Sequence, residues 1–387
     1  MPSAYAFSHV SSIEEIGQDR WTQCFGESNP FMRYAFLHQL ERSACIGDGT
    51  GWQTHHLIIS DKLTAEIAAI VPLYLKTHSW GEYVFDWAWA EAYGRNQLEY
   101  YPKLVTSVPF IPASGQRIGF KAGITEEVKQ SLLLSLCEYL RDIMAQQDYS
   151  SWHGLFISEQ EQALWPKDAA ITRVGTQFHW RNKNYTDFSD FLASMTSRKR
   201  KNISKERQLV ANYQLSFRFV VGAEASLEQW QHFIKCYQMT YQKRSGHQGY
   251  LTAAFFLGLQ QTMGEAIRLL IVTDVNDQMI ASALFFVSDT HLYGRYWGTL
   301  TELDGLHFES CYYQGIDYAI ANNLAIFDAG AQGEHKVSRG FEPRLTYSKH
   351  IIIHPAFNDA ISHYCQQEQN QMGLYMKQIA QQLPFRN

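Results

Sequence analysis

A chain of 387 residues is longer than one ordinary domain of about 100–200 residues, so two domains are expected. Hydrophobic residues make up 45% and charged residues 18%, which excludes a disordered chain, and 14% of aromatics points to large cores or aromatic-lined clefts. A net charge of −5 excludes a globally basic nucleic-acid binder but leaves room for a local basic patch.

No run approaches the roughly 18 consecutive apolar residues of a membrane helix, so no membrane insertion is expected. The stretch 1–12 has neither the basic start nor the apolar centre of a signal peptide. Six scattered cysteines without a C-x-x-C pair read as reduced thiols of a cytoplasmic protein and supply no zinc site, so no metal is expected.

In chain order, the pattern predicts a helix over about 12–24. A turn follows at Asn29-Pro30, where Asn caps and Pro suits a first helical turn, and a helix then runs to about residue 43. After a glycine-rich loop at 47–51 come two strands, about 55–60 and 66–76, that read as a hairpin. A long aromatic stretch precedes an amphipathic helix over about 126–147 and a strand over about 153–158. The same order then recurs. Helices are predicted near 226–244 and 252–264, and strands near 268–274, 279–288 and 291–298. A helix near 309–322, a strand at 325–328 and a glutamine-rich helix over 366–382 complete the chain. Two copies of helix–helix–hairpin–helix–strand predict tandem α/β domains with mixed sheets: an N-terminal domain over 1–180, a basic helical connector over 181–215, and a C-terminal domain with a terminal helix over 216–387.

Three segments carry candidate chemistry. In the connector, Arg198, Lys199, Arg200, Lys201, Lys205 and Arg207 place six cations in ten residues, while Leu192, Met195, Ile203 and Val210 recur at helical spacing. This is either a solvated charged face or an anion clamp for a phosphate-bearing ligand such as a nucleotide diphosphate, a CoA or a tRNA end. The second segment is Phe327–Arg339, at the end of a predicted strand. Gly330 and Gly333 let a backbone approach a ligand. Glu334 or His335 suits a general base and Lys336 an electrostatic stabiliser. Gln332 and Arg339 complete it as candidate substrate contacts, and a plain polar turn is the alternative. The third is the aromatic stretch Tyr83–Tyr101, where Asp86, Trp87, Trp89 and Tyr101 read either as core or as the wall of a cleft for a sugar, a peptide or an acyl chain. The chain has no G-x-S-x-G, H-E-x-x-H, P-loop or G-x-G-x-x-G motif, so a nucleophile-based or P-loop mechanism is not expected.

Residues Asn29-Pro-Phe-Met32, Val71-Pro-Leu-Tyr-Leu-Lys76, Gly81–Trp89 with Tyr101-Pro-Lys103, and Gly330–Lys336 resemble the bacterial DUF482 family of predicted N-acyltransferases, labelled peptidoglycan-biosynthesis-related or GNAT-like. More distantly, the chain is similar to FemAB-type aminoacyltransferases, which carry tandem GNAT-like domains and add amino acids to peptidoglycan precursors from aminoacyl-tRNA. Their Lys-Thr-Arg-Tyr-Asn-Ile signature looks like Arg198-Lys-Arg-Lys-Asn-Ile203, and their strand-ending Tyr-Asp-Phe-Gly-Gly looks like Phe327-Asp-Ala-Gly-Ala331.

The resemblance implies an α/β fold of tandem GNAT-like domains and direct transfer of an acyl or aminoacyl group to an amine, without a covalent intermediate. The acceptor would be a small molecule or muropeptide-like. Arg200 would meet a nucleotide diphosphate, with Lys199, Lys201 and Asn202 beside it. Asp86, Trp87, Trp89, Tyr101 and Lys103 would contact substrate. The donor would be acyl-CoA or aminoacyl-tRNA, which makes tRNA a candidate partner. A GNAT that binds acetyl-CoA carries R/Q-x-x-G-x-G/A directly before a helix. The nearest match, Arg295-Tyr296-Trp297-Gly298-Thr-Leu300, lacks the last small residue and precedes the predicted helix by about eight residues, so both donors stay open. Two other functions compete: a non-catalytic GNAT-like binding module, and an RNA-binding protein suggested by the basic helix alone.

Overall fold

Thr125 caps the strongest periodic segment by accepting from the Val128 amide, and in the computed structural model Glu126–Gln147 is a helix with the expected bounds. The structure describes residues 4–331 and 333–386. They fall into two compact units. The first holds the chain up to Thr176 together with Leu345–Leu374, and the second holds Gln177–Arg344 and the segment from Tyr375 onward. The basic segment expected as a connector over 181–215 thus lies wholly in the second unit, and 345–374 packs with the first.

In the first unit the strands are β1 (Tyr5–Val10), β2 (Trp52–Thr54), β3 (His56–Asp61), β4 (Ile67–Val71), β5 (Tyr74–Lys76), β6 (Lys103–Thr106), β7 (Gly119–Phe120) and β8 (Ser151–Ile157). One sheet runs β1-β3-β4-β7, antiparallel throughout. Another runs β2-β5-β6-β8 and continues onto the strand Glu342–Ile352, which pairs antiparallel with β8. All seven residues of β8 are buried. Leu132, Leu136 and Leu140 of the long helix pack with Leu57, Leu104 and Trp152 in one core.

The second unit contains β9 (Ile171–Arg181, which enters it from the first), β10 (Ser216–Val221), β11 (Ile267–Thr273), β12 (Met279–Val287), β13 (His291–Thr299) and β14 (Ile326–Asp328), and β15 (Glu342–Ile352) leaves it. Its sheet order is β10-β11-β12-β13-β14-β9. Only the β13–β14 pairing is parallel among these; the others are antiparallel. The helices Leu227–Ser245, opened by a Ser226–Gln229 capping box, and Ala253–Met263, capped by Thr252, lie where the periodicity places them. The fold class is α/β with mixed sheets.

Several elements depart from the pattern. The first predicted helix is broken at Gly17, whose φ of 82° ends one short helix and starts the next. The predicted helix at 309–322 contains a π turn, Glu309–Tyr313, between α segments Leu306–Phe308 and Gln314–Ala321. Strands β1, β9 and β15 were not expected, because their polar and apolar residues do not alternate cleanly. The aromatic stretch contains a helix, Trp87–Arg95, where tryptophan and tyrosine obscure the helical preference of its alanines. The terminal helix is longer than expected, Pro355–Ala380.

Candidate functional site

The second unit builds its polar centre where two parallel strands part. β13 pairs with β14 only over His291–Tyr293. Against β12, the register shifts between Leu284 and Phe285, and Arg295 is the extra residue on β13. This bulge brings the Arg295 guanidinium onto Asp328, the last residue of β14: one amino group donates to Asp328 Oδ2 at 2.6 Å, and both side chains are 2% exposed. Gly330 donates its amide to Asp328 Oδ1 at 2.9 Å, and Lys336 Nζ donates to Gly330 O at 2.6 Å. Burial alone would raise the Asp328 carboxyl, but Arg295, His179 and the Gly330 amide outweigh it and hold the group well below the usual carboxylate range. Lys336 is buried and lowered to about 8, chiefly by desolvation, with Asp328 opposing.

This geometry revises two expectations. The Gly330 backbone, anticipated to approach a ligand, and the Lys336 ammonium, anticipated as an electrostatic stabiliser, are both engaged inside the loop they brace. Arg295 and Arg339, anticipated as substrate contacts, are also committed. Arg339 Nε donates to Tyr313 Oη at 3.0 Å and its terminal nitrogen to Glu206 Oε2 at 2.8 Å, while its guanidinium lies 3.7 Å from the centre of the Phe308 ring. Tyr296 turns into a cluster with Tyr237 and Phe256, and Trp297 stands edge-on to His307. The first helical residue after Gly298 is Leu306. Gln332 lies outside the described residues.

Glu334 and His335, by contrast, are exposed. They begin a 3-10 turn, Glu334–Arg339, that follows Gly333. Gly333 has a φ of +108°, a conformation that favours glycine, and a Cβ there would sit 2.2 Å from His335 Cε1, so the exposed imidazole would have to move aside. Tyr375 donates its hydroxyl to Glu334 Oε1 at 2.6 Å, and Tyr312 Oη is 2.8 Å from His335 Nε2. Burial lowers the His335 imidazole below its ordinary range, and Arg339 and Lys336 lower it further, so the ring is neutral at pH 7. Both side chains open onto a cavity of about 480 Å³, lined also by Thr196, Lys199, Ser338, Gln381 and Gln382.

Lys199 belongs to the basic helix, Ser197–Ala211, whose N-cap Thr196 makes no side-chain cap. Arg200 is half-buried, and Lys201 and Asn202 are exposed. Among the described residues, Arg198, Lys199, Arg200, Lys201 and Lys205 form no ion pair, whereas Arg207 is tied to Glu309 at 2.9 Å and Asp317 at 2.8 Å. Of the anticipated phosphate-binding residues, the structure brings Lys199 to the Glu334–His335 cavity.

The residues anticipated in the first unit form a separate buried network. Lys103 Nζ donates to Ser79 Oγ and to Glu82 Oε2, each at 2.8 Å, and to Asp86. Tyr100 donates to Asp86 Oδ2 at 2.7 Å and lies 3.2 Å from His153 Nε2. His153 Nδ1 and His350 Nδ1 are 2.6 Å apart, and Ser348 Oγ is 2.8 Å from His350 Nε2. Tyr101 Oη meets Ser79 Oγ at 2.8 Å. Trp89 is buried edge-on to His350, whereas Trp87 is exposed. Burial raises Glu82 to about 7 against the pull of Lys103, and burial lowers Lys76 to about 7. Burial also drives both histidines well below their ordinary range, aided by the positive charges of Lys103 and Arg173, so the pair is neutral. The sequence reading missed Glu82, Tyr100, His153 and His350. Glu82 stood inside a quoted motif, but the histidines meet only because β8 pairs with the strand Glu342–Ile352.

Tandem GNAT-like α/β domains with an exposed acid–imidazole pair beside a basic helix whose first four cations form no ion pair among the described residues define a class of fold and site. Among the described residues, no group of three His, Cys, Asp or Glu is placed to hold a metal ion, and no helix is long and apolar enough to cross a membrane. The chain belongs to the FemAB_like family, described as peptidoglycan biosynthesis/recognition, whose model matches residues 12–387. A search of curated protein sequences finds no match. Among solved structures, the chain is similar to FemX at 13% identity, covering 92% of this chain and 100% of that one with a TM-score of 0.50. It is similar to the C-terminal DUF2156 domain of an Agrobacterium fabrum protein assigned as a lysylphosphatidylglycerol synthetase, at 10% identity, 89% and 93% coverage and a TM-score of 0.52. A tandem GNAT protein from the clavulanic acid biosynthesis pathway aligns at 8% identity, 91% and 99% coverage and a TM-score of 0.46.

Proposed function

We propose that this chain is an N-acyltransferase that passes an acyl or aminoacyl group from an activated donor to the amine of a muropeptide-like acceptor, as its DUF482-like and FemAB-like motifs suggest. The observation that carries this is the cavity of about 480 Å³ onto which a neutral imidazole, a carboxylate and the unpaired Lys199 all open. His335, whose Nε2 is held by Tyr312, takes a proton from the acceptor ammonium at Nδ1. The freed amine attacks the donor carbonyl, and the tetrahedral intermediate collapses as the extra proton on its nitrogen passes to the leaving oxygen or sulfur, releasing a tRNA ribose hydroxyl or a CoA thiol and leaving a neutral amide. Glu334 orients the ammonium. Lys199 and Arg200 take the phosphates of donor or acceptor.

The test is to supply aminoacyl-tRNA or acyl-CoA together with a UDP-linked muropeptide and to follow the product mass. Thermal shifts against each donor separate the two donor classes. Glu334→Gln with His335→Ala is expected to cost at least about 100-fold in rate, and full activity in that double variant removes the role given to the turn. One observation favours a non-catalytic binding module: the Gly330 amide and Lys336 are already bonded within their own loop. Saturable precursor binding without turnover by any donor would decide for that reading.

A further inference from the structure

The basic helix Ser197–Ala211 carries a single acid, Glu206. The residues three and four away from it are Asn202, Ile203, Leu209 and Val210, none of them charged, so no cation of the helix neutralises it along the surface. Glu206 instead shares a face with Lys199, Ile203 and Val210, at the spacing i, i+4, i+7, i+11. Ile203 and Val210 are buried on that face, and Lys199 opens onto the cavity beside His335.

Glu206 is taken by Arg339, the last residue of the 3-10 turn Glu334–Arg339. Arg339 is buried, and each of its three guanidinium nitrogens donates to a different segment. Nη2 donates to Glu206 Oε2 on the helix at 2.8 Å, Nε to Tyr313 Oη on the π turn Glu309–Tyr313 at 3.0 Å, and Nη1 to the His335 carbonyl on its own turn at 2.9 Å. Tyr313 closes the ring by donating its hydroxyl to Glu206 Oε2. The residue before it, Tyr312, holds the His335 imidazole at Nε2. A π turn is a rare local geometry that recurs at functional sites. This one presents two successive tyrosines, one to the imidazole and one to the arginine beneath it.

A guanidinium is a rigid planar fork, so segments bonded to its separate edges are fixed relative to one another. Low local dielectric strengthens each of those bonds. We infer that Arg339 is a positioning residue, anchored by Glu206: one guanidinium holds the His335 turn, the Tyr312–Tyr313 turn and the inner face of the basic helix in a single frame, so that His335 and Lys199 address the same substrate. The role rests on the reading of His335 as base and Lys199 as phosphate contact. Neither Arg339 nor Glu206 is assigned a contact with substrate.

The test compares Arg339→Lys, Glu206→Ala and Glu206→Gln in the full chain. Lysine keeps the charge but loses the fork; glutamine keeps an acceptor oxygen, and alanine keeps none. The Glu206 side chain is 36% exposed, so its variants fold even where a change at buried Arg339 does not, and melting temperatures check this. The first readout is the His335 imidazole NMR signal, assigned by its loss in His335→Ala. It should move or broaden in Arg339→Lys and Glu206→Ala and return close to the parent in Glu206→Gln. The second is turnover with the donors and acceptor named above. The lysine and alanine variants should lose about 10- to 100-fold in kcat, with a smaller change in donor KM, and glutamine should restore most of the rate. A tie that serves stability alone would lower the melting temperature while leaving the His335 signal and kcat of the folded protein as in the parent. A parent-like His335 signal in Glu206→Ala, or full kcat in that variant, overturns the positioning role. If the parent turns over no donor while the His335 signal still moves in alanine and returns in glutamine, the transferase reading fails and the frame stands.

Discussion

Lys103→Met is the most informative single perturbation of the first unit. Lys103 is fully buried, its two carboxylate partners are 1% and 4% exposed, and its ammonium is the shared donor that joins Glu82, Asp86 and Ser79. A methionine of similar length fills the volume but leaves two carboxylates in a dry interior without their counter-charge. Breaking a buried ion pair from one side costs about 3–5 kcal/mol. At about 2–4 °C per kcal/mol for a unit of this size, the melting temperature should fall by about 6–20 °C at pH 8. The loss should shrink at pH 5, because the orphaned carboxyls can then protonate. Adding Glu82→Gln and Asp86→Asn to the Lys103→Met variant should recover much of the deficit, since the triple variant leaves no buried charge uncompensated. The assay is thermal and urea denaturation across pH, followed by near-ultraviolet circular dichroism. A drop below about 2 °C at pH 8, or one equal at both pH values, would refute the assignment of Lys103 as the counter-ion of this network.

Four further outcomes follow. Glu82 is raised to about 7 in the fold, so the folded state keeps a proton that the unfolded chain releases, and stability should fall as pH rises from about 4.5 to about 7. Lys76 is lowered to about 7 from 10.5, so stability should return between about 7 and 10.5; Glu82→Gln should flatten the lower limb in denaturation profiles. Asp328→Asn strands the buried Arg295 guanidinium and should cost about 3–5 kcal/mol in urea denaturation. Because the Asp328 carboxyl is depressed in the fold, its contribution is present above its ordinary pKa and is lost as pH falls through the folded value. Gly333→Ala should cost about 1–3 kcal/mol and displace the His335 ring, visible as a shift in its imidazole NMR signals. Lys199→Glu should leave stability within about 0.5 kcal/mol while weakening binding of pyrophosphate measured by calorimetry.

The two units place their ionisable groups differently. The first buries Glu82, Asp86, Lys103, His153 and His350 in one bonded network, which sets a requirement on stability and pH. The second keeps its salt-bridged Asp328–Arg295 centre inside and leaves Glu334, His335 and Lys199 open, which is the arrangement a ligand can reach. Chemistry is therefore better sought at the exposed turn than at the more strongly perturbed but sealed cluster around Lys103.

By itself, the sequence determined the α/β class, the bounds of the long helix Glu126–Gln147 and the segments where charge and glycine concentrate. These are local properties: apolar periodicity, caps such as Thr125 and Ser226, and runs of like charge are set by near neighbours along the chain. Which charges are free was decided only by tertiary structure. Lys336 and Glu334 stand two residues apart in one motif, yet the first is buried against Gly330 O and the second opens onto the cavity, because the 3-10 turn points them to different sides. Arg200 and Lys199 carry equal charge on one helix, and only Lys199 lines that cavity. The His153–His350 contact joins residues 197 apart through one register of one strand pair. Burial and partnering depend on which distant segments pack together, and no local pattern encodes that choice.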